Sequence, residues 1–137
     1  MNTSSIAALC LGITAVSCGP ANLANDGADS ARLAPIMDRD LNAYFTRRAG
    51  HPVRVQYDYL RRGPTVTGIS YPKYYLWIVA HDSSRGAVTA EGAARVAEID
   101  SVIEVTHFFP KQYIAREPAS VDSVFPPAVV GELRKRQ

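Results

Sequence analysis

Cysteine is nearly missing from this 137-residue chain: there are two, Cys10 and Cys18, and none follows. No disulfide framework is available downstream, so that part of the chain must fold on its hydrophobic core alone. Charge is absent from residues 1–25, whereas the whole chain balances 15 basic against 13 acidic side chains for a net +2. That balance, with no stripe of basic and aromatic side chains, argues against nucleic acid as a partner. Long apolar runs are lacking too: the run at 6–16 falls short of the ~20 residues a spanning helix requires, so membrane association would go through a lipid. Motifs are as sparse. There is no His-x-x-x-His, no Cys-x-x-Cys, no Gly-x-Ser-x-Gly elbow and no glycine-rich phosphate loop ahead of a helix, and no cofactor or metal is expected.

What is present at the start is an address. An uncharged, apolar segment of this length, followed by small residues that let a peptidase approach the backbone, has the build of an export signal. It ends in Ala15-Val16-Ser17-Cys18, which resembles the lipobox of bacterial lipoproteins. The resemblance implies a signal peptide over 1–17, a diacylglyceryl group on the sulfur of Cys18, and a cell-envelope protein anchored to the membrane and facing the periplasm. Cleavage nearby, for instance after Ala21, would instead give a soluble secreted protein. Residues 18–32 are small, polar and turn-forming, and read as a flexible tether. Residues 33–137 are the length of one domain.

Within that domain, Leu33, Ile36, Met37, Leu41, Tyr44 and Phe45 recur at three- and four-residue steps. This spacing predicts an amphipathic helix over 33–49, with Pro35 in its first turn and Gly50 and Pro52 stopping it. The period then changes to two: Val53, Val55, Tyr57 and Tyr59 alternate with Arg54, Gln56 and Asp58, as in a half-buried strand. A β-rich stretch follows over 66–80, in which Pro72 demands a bulge, an edge, or a division into shorter strands near 66–70 and 73–81, and a bulge is preferred. Residues 87–99 suit a strand or a helix, and strand is preferred. A strand over 102–109 would place Ile103, Val105, His107 and Phe109 on one face and Glu104, Thr106 and Phe108 on the other. The proline-rich tail predicts a helical turn opening at Ser120 and a last helix over 127–136.

Helix first and antiparallel meander second make an α+β domain in which the sheet's apolar face closes over the helix, with a short C-terminal helix. The element order over 33–109 is similar to cystatin-like folds and, more loosely, to ketosteroid-isomerase-like cones. Similarity of order says little about function.

Candidate chemistry is thin. His81 beside Asp82 at a strand end could meet His107 across the sheet in a two-histidine, one-carboxylate site, and Asp58, His81 and His107 are the candidate acids or bases of an enzyme with a pocket in the sheet's concavity. Tyr57, Tyr59, Tyr71, Tyr75 and Trp77 read as in phase on neighbouring strands, with Tyr74 on the opposite side, and could form a binding face for a protein or small ligand. Basic clusters at Arg47-Arg48, Arg61-Arg62 and Arg134-Lys135-Arg136 could meet anionic headgroups if they converge. The balance favours a binding or accessory module over an enzyme, with an inhibitor or immunity-type protein as a third possibility.

Overall fold

The computed structural model describes residues 22–137; the expected signal segment and the lipidation of Cys18 lie outside the described residues. Helix α1 (Asn22–Ala49) is followed by strands β1 (Val53–Tyr59), β2 (Lys73–Asp82), β3 (Val88–Ile99) and β4 (Val102–Pro110), then by helices α2 (Lys111–Arg116), α3 (Pro118–Val124) and α4 (Pro127–Arg134). The strands form one antiparallel meander in the order β1-β2-β3-β4. This is the expected α+β arrangement.

Helix α1 buries Leu33, Met37, Leu41 and Phe45, four residues apart and therefore on one stripe. It begins well before the expected residue 33 and takes in most of the segment read as a tether. Arg32 explains part of the extension: it pairs with Asp29 one turn back, and its guanidinium donates to both carboxylate oxygens of Glu98 on β3, at 2.6 and 3.0 Å. Pro35 consequently sits inside the helix rather than in its first turn, removing the bond an N–H there would donate to the carbonyl of Ala31. Gly50, at φ 76°, ends the helix and donates its N–H to Thr46.

Polar side chains of α1 reach both edges of the sheet. Asn42 accepts the N–H of Val55 at 2.8 Å and Thr46 that of Val53 at 3.3 Å, both on edge strand β1. Asp40 accepts the N–H of Ile103, on edge strand β4, at 2.7 Å. Arg39 chelates the same carboxylate and donates to the carbonyl of Ser101, fastening the β3–β4 turn to the helix. Outer amides that would otherwise invite another chain are thereby occupied.

The strand expectations need three corrections. No strand forms over 66–70; one bridge joins Thr65 to Lys73, and Gly63 and Gly68 adopt positive φ in the intervening loop. Pro72 lies just before β2, not at a bulge, and its carbonyl accepts the N–H of Glu98. The bulges fall elsewhere: pairing skips Thr89 between Ala80/Ala90 and His81/Val88, and skips Thr106 between Arg95/His107 and Val96/Val105. An extra residue reverses the alternation beyond it. Thus Ile103, Val105 and Phe108 face α1, whereas Phe109 faces away, which splits the one-sided set expected on β4.

The tail holds three helices where a turn and one helix were expected, each preceded or opened by a proline whose missing N–H costs nothing there. These helices cover the second face of the sheet. Tyr74, Leu76, Ile78 and Ala80 of β2 join α1 in one core, while Tyr75 and Trp77 join Ile114, Val121, Phe125, Val129 and Leu133 in another. The turn Asp100-Ser101 has φ of 49° and 63°, the two-residue type I′ geometry that matches strand twist.

Gly92 marks the closest approach in the sheet. A Cβ there would lie 2.1 Å from the carbonyl oxygen of Phe109, a backbone atom that cannot step aside. Gly92→Ala is expected to destabilise the domain by about 3 kcal/mol or more in urea unfolding, whereas Gly131→Ala, in open space on α4, should be neutral or stabilise by up to ~1 kcal/mol. Asn42→Ala orphans the Val55 amide and is expected to cost about 1–3 kcal/mol by the same measurement, with increased self-association by light scattering.

Candidate functional site

The three candidate acid-base residues do not meet. Asp58, on the outer strand, lies opposite Trp77 and accepts from Arg136 at 3.3 Å. His81, at the end of β2, has Nδ1 3.2 Å from the carbonyl of Gly86; since a carbonyl only accepts, this nitrogen carries the proton. His107 lies opposite Arg95, which in turn faces Tyr75, six residues along β2 from His81, or roughly 20 Å at strand spacing. Arg95 donates to Nδ1 of His107 at 2.9 Å and to Thr106 at 3.0 Å, while the Thr106 hydroxyl donates to the Arg95 carbonyl. That nitrogen's lone pair is already engaged. Burial first, and the Arg95 charge second, hold the His107 pKa below its ordinary value. Among the described residues no group of three His, Cys, Asp or Glu is placed to hold a metal ion.

One histidine contact escaped the sequence reading. Nδ1 of His51 lies 3.5 Å from Asp82, across the start of β1. Asp82 also accepts the amides of Ser84 and Arg85 and the hydroxyl of Ser84, so these donors, the hydroxyl foremost, hold its carboxyl down at about 2. The Asp-Ser-Ser-Arg-Gly string signalled the turn. Nothing in the string signalled His51, since contact depends on how α1 delivers the chain into β1.

The five aromatics expected on one face are distributed over two cores and a loop. Register places Tyr57 opposite Ile78 and Tyr59 opposite Leu76, so both tyrosines face α1 with Tyr74. Their rings meet edge to face, with centroids 5.8 Å apart for Tyr57–Tyr59 and 6.3 Å for Tyr59–Tyr74. Burial pushes the phenols of Tyr57 and Tyr74 up to about 12 and raises that of Tyr59. The Tyr59 hydroxyl is buried without a hydrogen-bond partner among the described residues; Ser30 is near enough to temper the rise but is not bonded to it. Tyr75 and Trp77 lie on the opposite side, Tyr75 against Phe125 at 5.9 Å and Trp77 beneath the Arg136 guanidinium at 5.7 Å. Tyr71 alone is exposed.

Four of the six exposed large apolar side chains among the described residues gather at one end, whereas Val88 opens β3 at the opposite end and Tyr113 lies on α2. Val66, Ile69 and Tyr71 stand on the β1–β2 loop, with Ile69 fully exposed, and Val102 stands beside the β3–β4 turn. The loop is held at its base by Thr65, whose hydroxyl lies 2.7 Å from that of Tyr75 and whose amide and carbonyl pair with Lys73. This end also receives α1, because Arg32 reaches Glu98 and the Glu98 amide reaches Pro72. The three basic clusters do not all converge: Arg47 and Arg48 end α1 ahead of β1, whereas Arg61 and Arg62 follow its far end, near which Arg136 reaches Asp58 and lies over Trp77. No protein-family model, no curated protein and no solved structure matches the chain.

The half-buried, Arg-paired His107 has a consequence for stability. Its folded pKa is depressed, so the unfolded chain takes up the proton first, and stability is full above pH 6.5 and falls as pH drops through that value. Arg95→Gln is expected to move the His107 midpoint upward toward, but not to, 6.5, since burial remains; imidazole proton shifts followed by NMR measure it.

Proposed function

We propose that this chain is a lipid-anchored protein of the bacterial cell envelope whose domain acts as a binding or accessory module. The observation that carries this reading is the uncharged start, with its apolar run at 6–16 leading into Ala15-Val16-Ser17-Cys18. Its fit to an export signal closed by a lipid-accepting cysteine supports acylation of Cys18. No described helix is long and apolar enough to cross a membrane, so the attachment would be the acyl chains.

A module role is favoured by where the polar side chains spend their bonding capacity. Asp58 pairs with Arg136, His81 with a carbonyl, and His107 with Arg95, and all three contacts tie structural elements together. The sheet's concave face is occupied by α1 and its convex face by the C-terminal helices. What stands outward is the loop bearing Val66, Ile69 and Tyr71.

Membrane-extracted protein is expected to yield an N-terminal peptide that begins at Cys18 and carries a diacylglyceryl group, with or without a third acyl chain, by mass spectrometry. Cys18→Ala should leave an uncleaved precursor or a soluble form. An unmodified peptide beginning at Met1 in the soluble fraction overturns the reading.

A further inference from the structure

We infer that the end of the domain carrying the β1–β2 loop is a membrane-facing surface, on which Ile69 and Tyr71 enter the interfacial region of an anionic bilayer while Arg61, Arg62 and Lys73 meet its phosphates. The inference rests on the lipid-anchor reading, but on different residues. Three observations support it.

The first is composition. Residues 61–73 read Arg-Arg-Gly-Pro-Thr-Val-Thr-Gly-Ile-Ser-Tyr-Pro-Lys, with three cations and no acid, and among the described residues none of the three pairs with a carboxylate. Apolar and phenolic side chains bracketed by free cations match a bilayer interface, where the hydrocarbon boundary lies beneath a plane of negative charge. A protein groove would satisfy Ile69 equally well, but would not call for uncompensated positive charge at both ends of the loop.

The second is exposure. Val66, Ile69 and Tyr71 remain outward although the fold buries large apolar side chains in two cores, and Val102 extends the same end of the sheet, where four of the six exposed large apolar side chains among the described residues stand; Val88 and Tyr113 are exposed elsewhere. Left in water, such a cluster gains nothing; against acyl chains it loses its hydration.

The third is position. Arg32 marks where α1 passes the end of the sheet, and from there to Asn22 the helix continues for ten residues, about 15 Å. Cys18 lies four residues further along the chain. The loop beyond the Thr65–Lys73 bridge spans seven residues out and back, a reach of about 10 Å. The helix that leads back toward Cys18 and the loop therefore leave the domain at the same end.

The test uses the full chain, with Cys18 intact and as Cys18→Ser, on vesicles of phosphatidylglycerol and phosphatidylethanolamine with brominated acyl chains. Tryptophan is introduced as Ile69→Trp in the loop or as Ser84→Trp in the turn at the other end of the sheet; the buried Trp77 is the common background. Ile69→Trp emission should be quenched and Ser84→Trp emission should match the unsubstituted chain. Combining Arg61→Gln with Arg62→Gln should lower partitioning onto phosphatidylglycerol vesicles about tenfold or more and leave partitioning onto pure phosphatidylcholine unchanged. Arg62 is exposed and Arg61 half-buried, and far-ultraviolet circular dichroism confirms that the variants fold. Vesicle-bound protein with unquenched Ile69→Trp overturns this inference and leaves the anchor standing. Quenching of Ile69→Trp in a chain shown by mass to have an unmodified Cys18 supports the inference and overturns the anchor. Equal quenching at both positions overturns the assignment of this end.

Discussion

One helix supplies hydrogen-bond acceptors to both outer edges of a four-stranded sheet, and most of the architecture follows from that demand. Asn42 and Thr46 serve β1 while Asp40 serves β4, so strands at opposite edges must come within a side chain's length of the same helix. A flat sheet of four strands is about 14 Å across between its outer strands, too wide for such reach. The sheet has to curl around α1. The two bulges, at Thr89 and Thr106, supply the needed bend and twist, and both lie on the β3 and β4 half of the sheet, which must travel furthest. The Arg39–Asp40 pair then sharpens the contact, lowering the Asp40 pKa chiefly through the Arg39 hydrogen bond so that the carboxylate stays an acceptor for Ile103.

Curling around a helix exposes the convex side, and the tail exists in this fold to cover it. Strand β2 feeds both layers by simple alternation, with five successive buried residues from Tyr74 to Ile78 sent to opposite cores. Strand β3 does the same with small side chains: Ala94 and Ala90 face α1, Ala93 faces the tail, and Gly92 leaves room for the backbone of Phe109 and Pro110 to cross. Small residues at the centre of a sheet let helices approach on either side. Larger ones are kept for the tail, where Phe109 contacts Phe125 at 5.7 Å and stacks on Tyr113 at 5.4 Å. Two thin cores, each bounded by aromatic rings, replace one thick core, which suits a domain without disulfides.

How much of this was legible follows from which signals are local. The apolar spacing of Leu33, Met37, Leu41 and Phe45 and the period-two run from Val53 are written within a few residues and could be read. The α+β class followed. The aromatic face could not be read, because whether Tyr57 shares a side with Trp77 depends on the parity of residues between β1 and β2, and that parity is set by the loop closing at Thr65–Lys73 rather than by the strands. The phase of β4 failed for a similar reason: Thr106 looks like any alternating residue, and only its pairing reveals it as the extra one. Alanines made β3 ambiguous because the property they serve, closeness on both faces, has no periodic signature. The reach of α1 back to Asn22 depended on Glu98, sixty-six residues downstream of Arg32.

The two ends of the sheet have been finished differently, and the difference is chemical. At the end where α1 stops, His51, Asp82, Ser84 and Gly86 close a turn in which the carboxylate accepts four separate contacts, and Val88 is the exposed large apolar side chain beside it. At the end where α1 enters, the Arg32–Glu98–Tyr74 contacts serve the helix, but the adjoining loop carries cations without acids and apolar groups without cover. Both ends contain glycines at positive φ, so backbone geometry alone does not distinguish them. A chain that closes one turn with a five-residue string bonded to a single carboxylate has no folding reason to leave Ile69 fully exposed at the other end. The unsatisfied end is the one whose properties folding does not explain, and it adjoins the helix that leads back to Cys18.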